Sequence, residues 1–264
     1  MSETATNQVL AGQRAVISGA SRGIGQGIAV ELCKAGAEVL VADLNPADET
    51  AELCKPWGGV VHYRRTDVSK AGDVAALMSE AVDKMGGIDI VVSNAAYSDR
   101  HAMLESDLGE FHKTIDVSMW GAFYMVRFGA EKLVEAERGG NIVVVSSPHA
   151  HMPIPGAMAY NMAKAANDQT AKTAAVELAD HNIRVNLIHP GWIDTPGEKK
   201  FFSGDALAAG KEKIPMGRLG QPRDLGRGVV FLCDPASDYI TGSTLTIDGG
   251  IQLPWHEMHR LRNP

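Results

Sequence analysis

Apolar residues along the chain fall into two alternating kinds of run. Arg14–Ser18 and residues 38–42, 59–63, 88–92, 141–145, 183–188 and 243–247 are short and largely continuous in apolar character. That is the pattern of strands covered on both faces. Between them lie longer stretches whose apolar positions recur three and four apart. Gly23–Lys34 carries Ile24, Ile28 and Leu32, and 71–84 carries Val74, Leu77, Met78 and Ala81. This spacing predicts helices there, and 107–137, 157–180 and Pro222–Cys233 read the same way. Strand and helix in alternation imply an α/β fold, a doubly wound parallel sheet of about seven strands with helices on both faces. No Pro- or Ser-rich linker divides residues 1–264, which are read as a single domain. Two segments break the rhythm. Residues 192–217, with Phe201 and Phe202, are punctuated by Gly and Pro and are expected to form a mobile loop covering a site. Residues 251–264 are a tail without a clear period.

Charge narrows the function classes. Asp and Glu number 32 against 25 Lys and Arg, a net charge of −7 with no basic stripe. Partners that are nucleic acids or anionic membranes require a basic excess and are not expected. No apolar run reaches the ~18 residues of a membrane helix. The polar start, 1–8, lacks the basic and apolar regions of a signal peptide, so a cytoplasmic location is expected. Cys33, Cys54 and Cys233 are odd in number and form no CxxC, which predicts reduced, buried thiols, with no disulfide and no metal site. His256 and His259, flanking Glu257, read as an exposed tail rather than a metal pair.

Candidate chemistry begins where the first strand ends. Ser18 to Gly25 reads SGASRGIG, a glycine-rich turn opening the first helix. Such a turn lets a pyrophosphate approach the free N–H groups of a helix N-terminus, which points to Gly19, Ser21, Arg22, Gly23, Ile24 and Gly25. Asp43, at the end of the second strand, suits the ribose hydroxyls of NAD and repels the 2′-phosphate of NADP. Arg22 pulls the other way, since it suits that phosphate; NAD is expected and NADP is not excluded. Tyr160 and Lys164 stand four apart in a helical stretch and share a face. Free Tyr titrates near ~10. A neighbouring ammonium favours the phenolate, so Tyr160 is placed to exchange a proton with a substrate oxygen while hydride moves. Upstream, a strand ends in Ser146-Ser147, where hydroxyls face the ligand crevice of an open α/β sheet.

Taken together, the Ser18–Gly25 turn, Asp67-Val68, Ser93-Asn94-Ala95-Ala96, Ser147 with Tyr160 and Lys164, His189-Pro190-Gly191 and Asp248-Gly249-Gly250 resemble the short-chain dehydrogenase/reductase family over nearly the whole chain. The resemblance implies a Rossmann-type domain and an NAD(P)-dependent enzyme acting on CH–OH groups. It implies that Ser147 orients and polarises the substrate oxygen, that Tyr160 is the general acid/base, and that Lys164 lowers the Tyr pKa and bonds the nicotinamide ribose. Asp67 and Val68 would hold the adenine, and Asn94 and Ala95 would support the cofactor. Leu44, after Asp43, joins the cofactor-binding set. Pro190, Gly191, Ile193 and Thr195 would flank the nicotinamide. His149, Ile154 and Trp192 would meet the substrate.

Two positions depart from the family pattern. Ala96 stands where Gly is usual and is expected to narrow backbone freedom, because Ala tolerates φ > 0 poorly. Ser118 stands where the family has a fourth catalytic residue, Asn, that anchors a proton-relay water; a slower relay through Ser118 is expected. Further pocket candidates are Asp99, Arg100, His101 and His151, with Met152 and Phe202 as apolar ones. So many polar groups suggest a polar small-molecule alcohol or ketone such as a sugar, polyol or hydroxy acid, whereas Met152, Ile154, Trp192 and Phe202 suit an apolar substrate equally well. Met119, Phe123 and Phe128 in one long helix and the alanines 163, 166, 171, 174 and 175 in another suit helix–helix packing, and a homotetramer or dimer is expected. Two alternatives stand: an NADPH-dependent 3-ketoacyl-type reductase, favoured by Arg22, and a non-catalytic dinucleotide-sensing protein, favoured by Ser118 and Ala96.

Overall fold

The computed structural model of the protein describes residues 8–197 and 204–253. Seven strands, β1 (Arg14–Ser18), β2 (Glu38–Asp43), β3 (Val61–Arg65), β4 (Ile90–Ser93), β5 (Gly140–Val145), β6 (Ile183–Pro190) and β7 (Thr244–Ile247), form one sheet in the order β3-β2-β1-β4-β5-β6-β7. Every pairing is parallel, from Val39 opposite Val61 at one side to Pro190 opposite Ile247 at the other. Side chains alternate between the two faces. Ala15 and Ile17 pack with α1 (Gly23–Lys34) and α8 (Pro222–Cys233); Val16 and Leu40 pack with α3 (Ala71–Met85), α5 (Gly121–Glu135) and α6 (Met158–Glu177). Strand order reverses between β1 and β4, and that switch point opens a crevice at the carboxyl ends of the strands. Among the described residues, no helix is long and apolar enough to cross a membrane.

The largest departures from the sequence expectation have local causes. β3 lies two residues later than the apolar run suggested, because it is an edge strand reading VHYRR and needs no continuous apolar stretch. The short α2 (Asp48–Cys54) was not expected. The stretch 107–137 is not one helix: α4 (Leu108–Ile115) meets α5 through a π-helical turn, Asp116–Trp120, that holds one extra residue per turn. Within 192–217 the chain forms α7 (Gly204–Lys213), so this segment is not a loop throughout. Phe201 and Phe202 lie outside the described residues, as do His256, Glu257, His259 and most of the tail.

The three cysteines are free and buried. Cys33 and Cys54, distant in sequence, are hydrogen-bonded neighbours, and that contact with burial pushes the Cys33 thiol up. Burial, opposed by the Arg184 charge, raises Cys233 to about 12.

Candidate active site

The end of β1 turns sharply at Gly19, whose φ is +69°. A methyl group there would stand 2.7 Å from the Ala95 Cα, so only glycine fits beneath the β4 loop. A methyl on Gly25 would lie 2.2 Å from the Gly19 carbonyl and 2.6 Å from the Asn94 amide. Asn94 occupies that space itself: its Nδ2 donates to the Ser18 and Gly19 carbonyls at 3.0 and 2.9 Å. Ser18 Oγ in turn accepts the N–H groups of Asn94 and Ala95. The first turn of α1 therefore starts at the crevice with its backbone exposed by glycine. Its N-cap, Arg22, makes no side-chain cap, and the first turn carries no acid. This positive helix end is left for an anion. Asp43 closes one side, with Oδ2 accepting the Ser21 N–H at 3.1 Å and Oδ1 accepting the Asn45 N–H at 3.0 Å. Leu44 and Arg22 are exposed beside it. The donor set and the space kept by Gly19 and Gly25 fit a dinucleotide pyrophosphate with its adenosine ribose at Asp43.

Other residues of the cofactor set lie around the same crevice. The Asp67 carboxylate is engaged by the Ser69 N–H and hydroxyl at 3.0 and 2.7 Å. Val68 is buried against α5, where a methyl on Gly121 would come within 2.8 Å of it. Only a small part of its side chain reaches the surface. Across the crevice, the Gly191 N–H donates to the Ile247 carbonyl at 2.9 Å. Thr195 is buried opposite Gly23 on α1. Ile193 is 3% exposed and packs into the core beside Gly220. Ala96 lines the cavity without strain. Among the described residues only Glu137 and Asn182 are non-glycines at positive φ, so the expected restriction at Ala96 does not arise.

A cavity of about 370 Å³ continues from this crevice, lined by Ser147, Tyr160 and Lys164 together. The helix α6 brings the last two onto one face, and Ser147 leaves the end of β5 as N-cap of a short 3₁₀ turn, Pro148–Ala150. Lys164 is wholly buried; its Nζ donates to the Val145 carbonyl at 2.8 Å and lies 5.3 Å from the Tyr160 ring centre. Burial, opposed by the Asp168 carboxylate, pushes Lys164 down to about 8.

Sequence reasoning missed the groups behind Lys164. Asp168 sits one turn further along α6. Its Oδ1 accepts from the Ser146 hydroxyl at 2.6 Å and from His189 Nε2 at 3.0 Å. Burial raises this carboxyl, but those two bonds together with the His189 and Lys172 charges outweigh burial and hold it below its usual range. The only sequence hint is an acid four residues after a lysine on a helix, which by itself reads as an ordinary surface pair.

Ser118 lies against the loop after β4. Its Oγ donates to the Tyr97 carbonyl at 2.6 Å and accepts the Tyr97 N–H at 2.8 Å. The hydroxyl proton is directed to that loop, while one lone pair of Oγ is left to accept from a water. Ser118 positions that loop, and its own carbonyl accepts from Asn167 at 2.9 Å.

On the substrate side, Arg100, His149, Met152, Ile154 and Trp192 line the cavity, with Ile251 and Gln252. Asp99, His101 and His151 are not among the lining residues. Asp99 pairs with His101 at 3.2 Å, while His151 stacks on His189 and contacts Gln252. The α7 segment covers Trp192: a methyl on Gly210 would lie 2.1 Å from the indole.

Known proteins share this architecture. The sequence model of the family described as Enoyl-(Acyl carrier protein) reductase matches residues 19–252. Glucose 1-dehydrogenase 2 of Bacillus subtilis is 32% identical over 92% of this chain and 96% of its own length. A short-chain type dehydrogenase/reductase from Mycobacterium marinum superposes with a TM-score of 0.86 at 35% identity, covering 94% of this chain and 98% of that one. A 7 alpha-hydroxysteroid dehydrogenase complexed with NADH and 7-oxo glycochenodeoxycholic acid gives 0.87 at 31% identity, covering 93% and 96%.

Proposed function

The chain belongs to the short-chain dehydrogenase/reductase family, and on that premise we propose that it is an oxidoreductase moving hydride between NAD(H) and a polar secondary alcohol or its ketone. The observation that carries this reading is the buried Lys164 ammonium beside Tyr160, in one cavity with Ser147. The glycine turn with Asn94 holds the dinucleotide, and Asp43 takes its ribose. When bound, the nicotinamide supplies or receives the hydride. Ser147 Oγ holds the substrate oxygen. The Lys164 charge favours the Tyr160 phenolate, which accepts the hydroxyl proton in oxidation and returns it in reduction. Asp168 faces Lys164 from within α6 and favours its charged form, while the Ser146 and His189 bonds keep Asp168 ionised.

The choice of nucleotide rests on Asp43. Titrating the protein with NADH and with NADPH, by energy transfer from its tryptophans, is expected to give tighter binding of NADH by about 10-fold or more, the worth of a charge-assisted hydrogen bond. Asp43→Asn is expected to close most of that gap. NADPH binding more tightly would overturn it. The exposed Arg22 would then be the selector, and reduction of ketoacyl substrates would become the leading reading.

Two further assignments belong to this proposal. Trp120, the last residue of the π-helical turn, and Phe123 are exposed and join Tyr124 and Phe128 of α5 in an aromatic row, and Val176 is exposed on α6. These faces support a homotetramer or dimer; sedimentation as a monomer at micromolar concentration would overturn it. Three unbridged, buried thiols support a cytoplasmic location.

A further inference from the structure

His149 and Asn161 flank the reactive tyrosine, and their mutual orientation is determined chemically. Asn161 follows Tyr160 on α6, and His149 lies two residues after Ser147. The Asn161 Nδ2 donates to the Ile154 carbonyl at 3.0 Å. A carbonyl only accepts, so the amide is fixed with its Oδ1 toward the imidazole. That oxygen also only accepts. The 2.6 Å contact between it and His149 Nδ1 therefore requires a proton on Nδ1.

The second ring nitrogen is left for a ligand. Burial lowers the His149 pKa against the opposing effect of Asn161, and the charges of Arg100 and Lys164 lower it further. The titratable groups facing the ring are Arg100, Lys164 and Tyr160; Asn161 is uncharged. At neutral pH the ring carries one proton, on Nδ1, and Nε2 presents a lone pair. Nε2 makes no hydrogen bond among the described residues. The ring lines the cavity and meets the Tyr160 ring edge-on, with centres 5.1 Å apart.

We infer that His149 is a specificity-determining residue whose Nε2 accepts a hydrogen bond from a second hydroxyl of the substrate, next to the carbinol that Tyr160 handles. This rests on the oxidoreductase reading of the site and narrows the substrate to a diol-bearing class, such as a polyol or sugar. A carboxylate at the same place would set its lone pairs against that of Nε2. A hydroxyl donates to it and fits.

Two measurements test the inference. Nitrogen-15 NMR of the histidine rings, with His149 assigned by its loss in His149→Leu, reads the tautomer without any substrate. A neutral ring protonated on Nδ1 at neutral pH is expected; an Nε2-protonated ring or an imidazolium overturns the proposal. Turnover of 2,3-butanediol and of 2-butanol then gives a ratio of kcat/KM values. His149→Leu is expected to lower the diol-to-monool ratio by about 10-fold or more, and an unchanged ratio overturns the proposal while leaving the oxidoreductase reading intact. Asn161→Asp sets a carboxylate against Nδ1–H, raises the ring's pKa and makes Nε2 a donor at low pH. The diol advantage should then fall at low pH and return as pH rises, a dependence that a purely structural histidine would not produce. Failure of the unaltered protein to turn over any member of a broad alcohol and ketone panel with either nucleotide overturns the oxidoreductase reading and this assignment with it.

Discussion

A Tyr160→Phe protein is expected to lose about 10²–10⁴ in kcat while binding NADH within a few-fold of the unaltered protein. The substitution deletes one oxygen and nothing else. The ring stays in place on α6, edge-on to His149, and the glycine turn and Asp43 lie on other elements. Phenylalanine neither accepts nor returns a proton, and neither Ser147 nor Lys164 replaces it. Lys164 is held to the Val145 carbonyl, and the Ser147 hydroxyl is kept for the substrate oxygen. Single-turnover absorbance of reduced nicotinamide measures the loss, and tryptophan energy transfer measures binding. Retention of more than about a tenth of kcat would remove Tyr160 from the acid/base role.

Lys164→Met should separate stability from catalysis. Lys164 is 2% exposed, and burial pushes it down to about 8, whereas an unfolded lysine titrates near ~10.4. Between those values the unfolded chain holds a proton that the folded chain has released. Stability of the unaltered protein therefore rises with pH across that window. Below it, both states are charged and the folded state carries the full cost of burying the ammonium, on the order of 3 kcal/mol. Methionine keeps the length and removes the charge, at the loss of one hydrogen bond worth about 1 kcal/mol. The variant should unfold at higher urea at neutral pH, by about 1–2 kcal/mol. Its extra stability should shrink as pH rises through the window. Its kcat should fall about 10²–10⁴-fold, because nothing then favours the Tyr160 phenolate. A variant that is both less stable at neutral pH and active would contradict this picture of Lys164.

The strands that build the crevice were legible because parallel strands buried on both faces must be apolar throughout. RAVIS and the run ending in Asp43 needed no other signal. β3 was misplaced for the same reason, since VHYRR at the sheet edge carries no such run. The π-helical turn at Asp116–Trp120 escaped because a single added residue leaves the helical spacing on either side intact. In the site, Tyr160 and Lys164 were readable as one helix face and Ser147 as a strand end. The network behind them was not. Ser146 follows β5, Asp168 lies on α6 and His189 on β6, and only the sheet's register brings them together. Residue type says nothing of where the Ser118 hydroxyl points; here it turns to Tyr97. The side chain of Ile193 likewise turns into the core.

The most direct test of hydride transfer follows a labelled hydrogen. The protein is incubated with NAD and secondary alcohols deuterated at the carbinol carbon, and the reduced nucleotide is examined by mass spectrometry. One deuterium per nucleotide, with the matching ketone formed and both products forming about 10²–10⁴-fold more slowly in Tyr160→Phe, is the predicted result. A protein that binds the nucleotide yet transfers no label from any alcohol of the panel would contradict the account and mark it as a dinucleotide sensor.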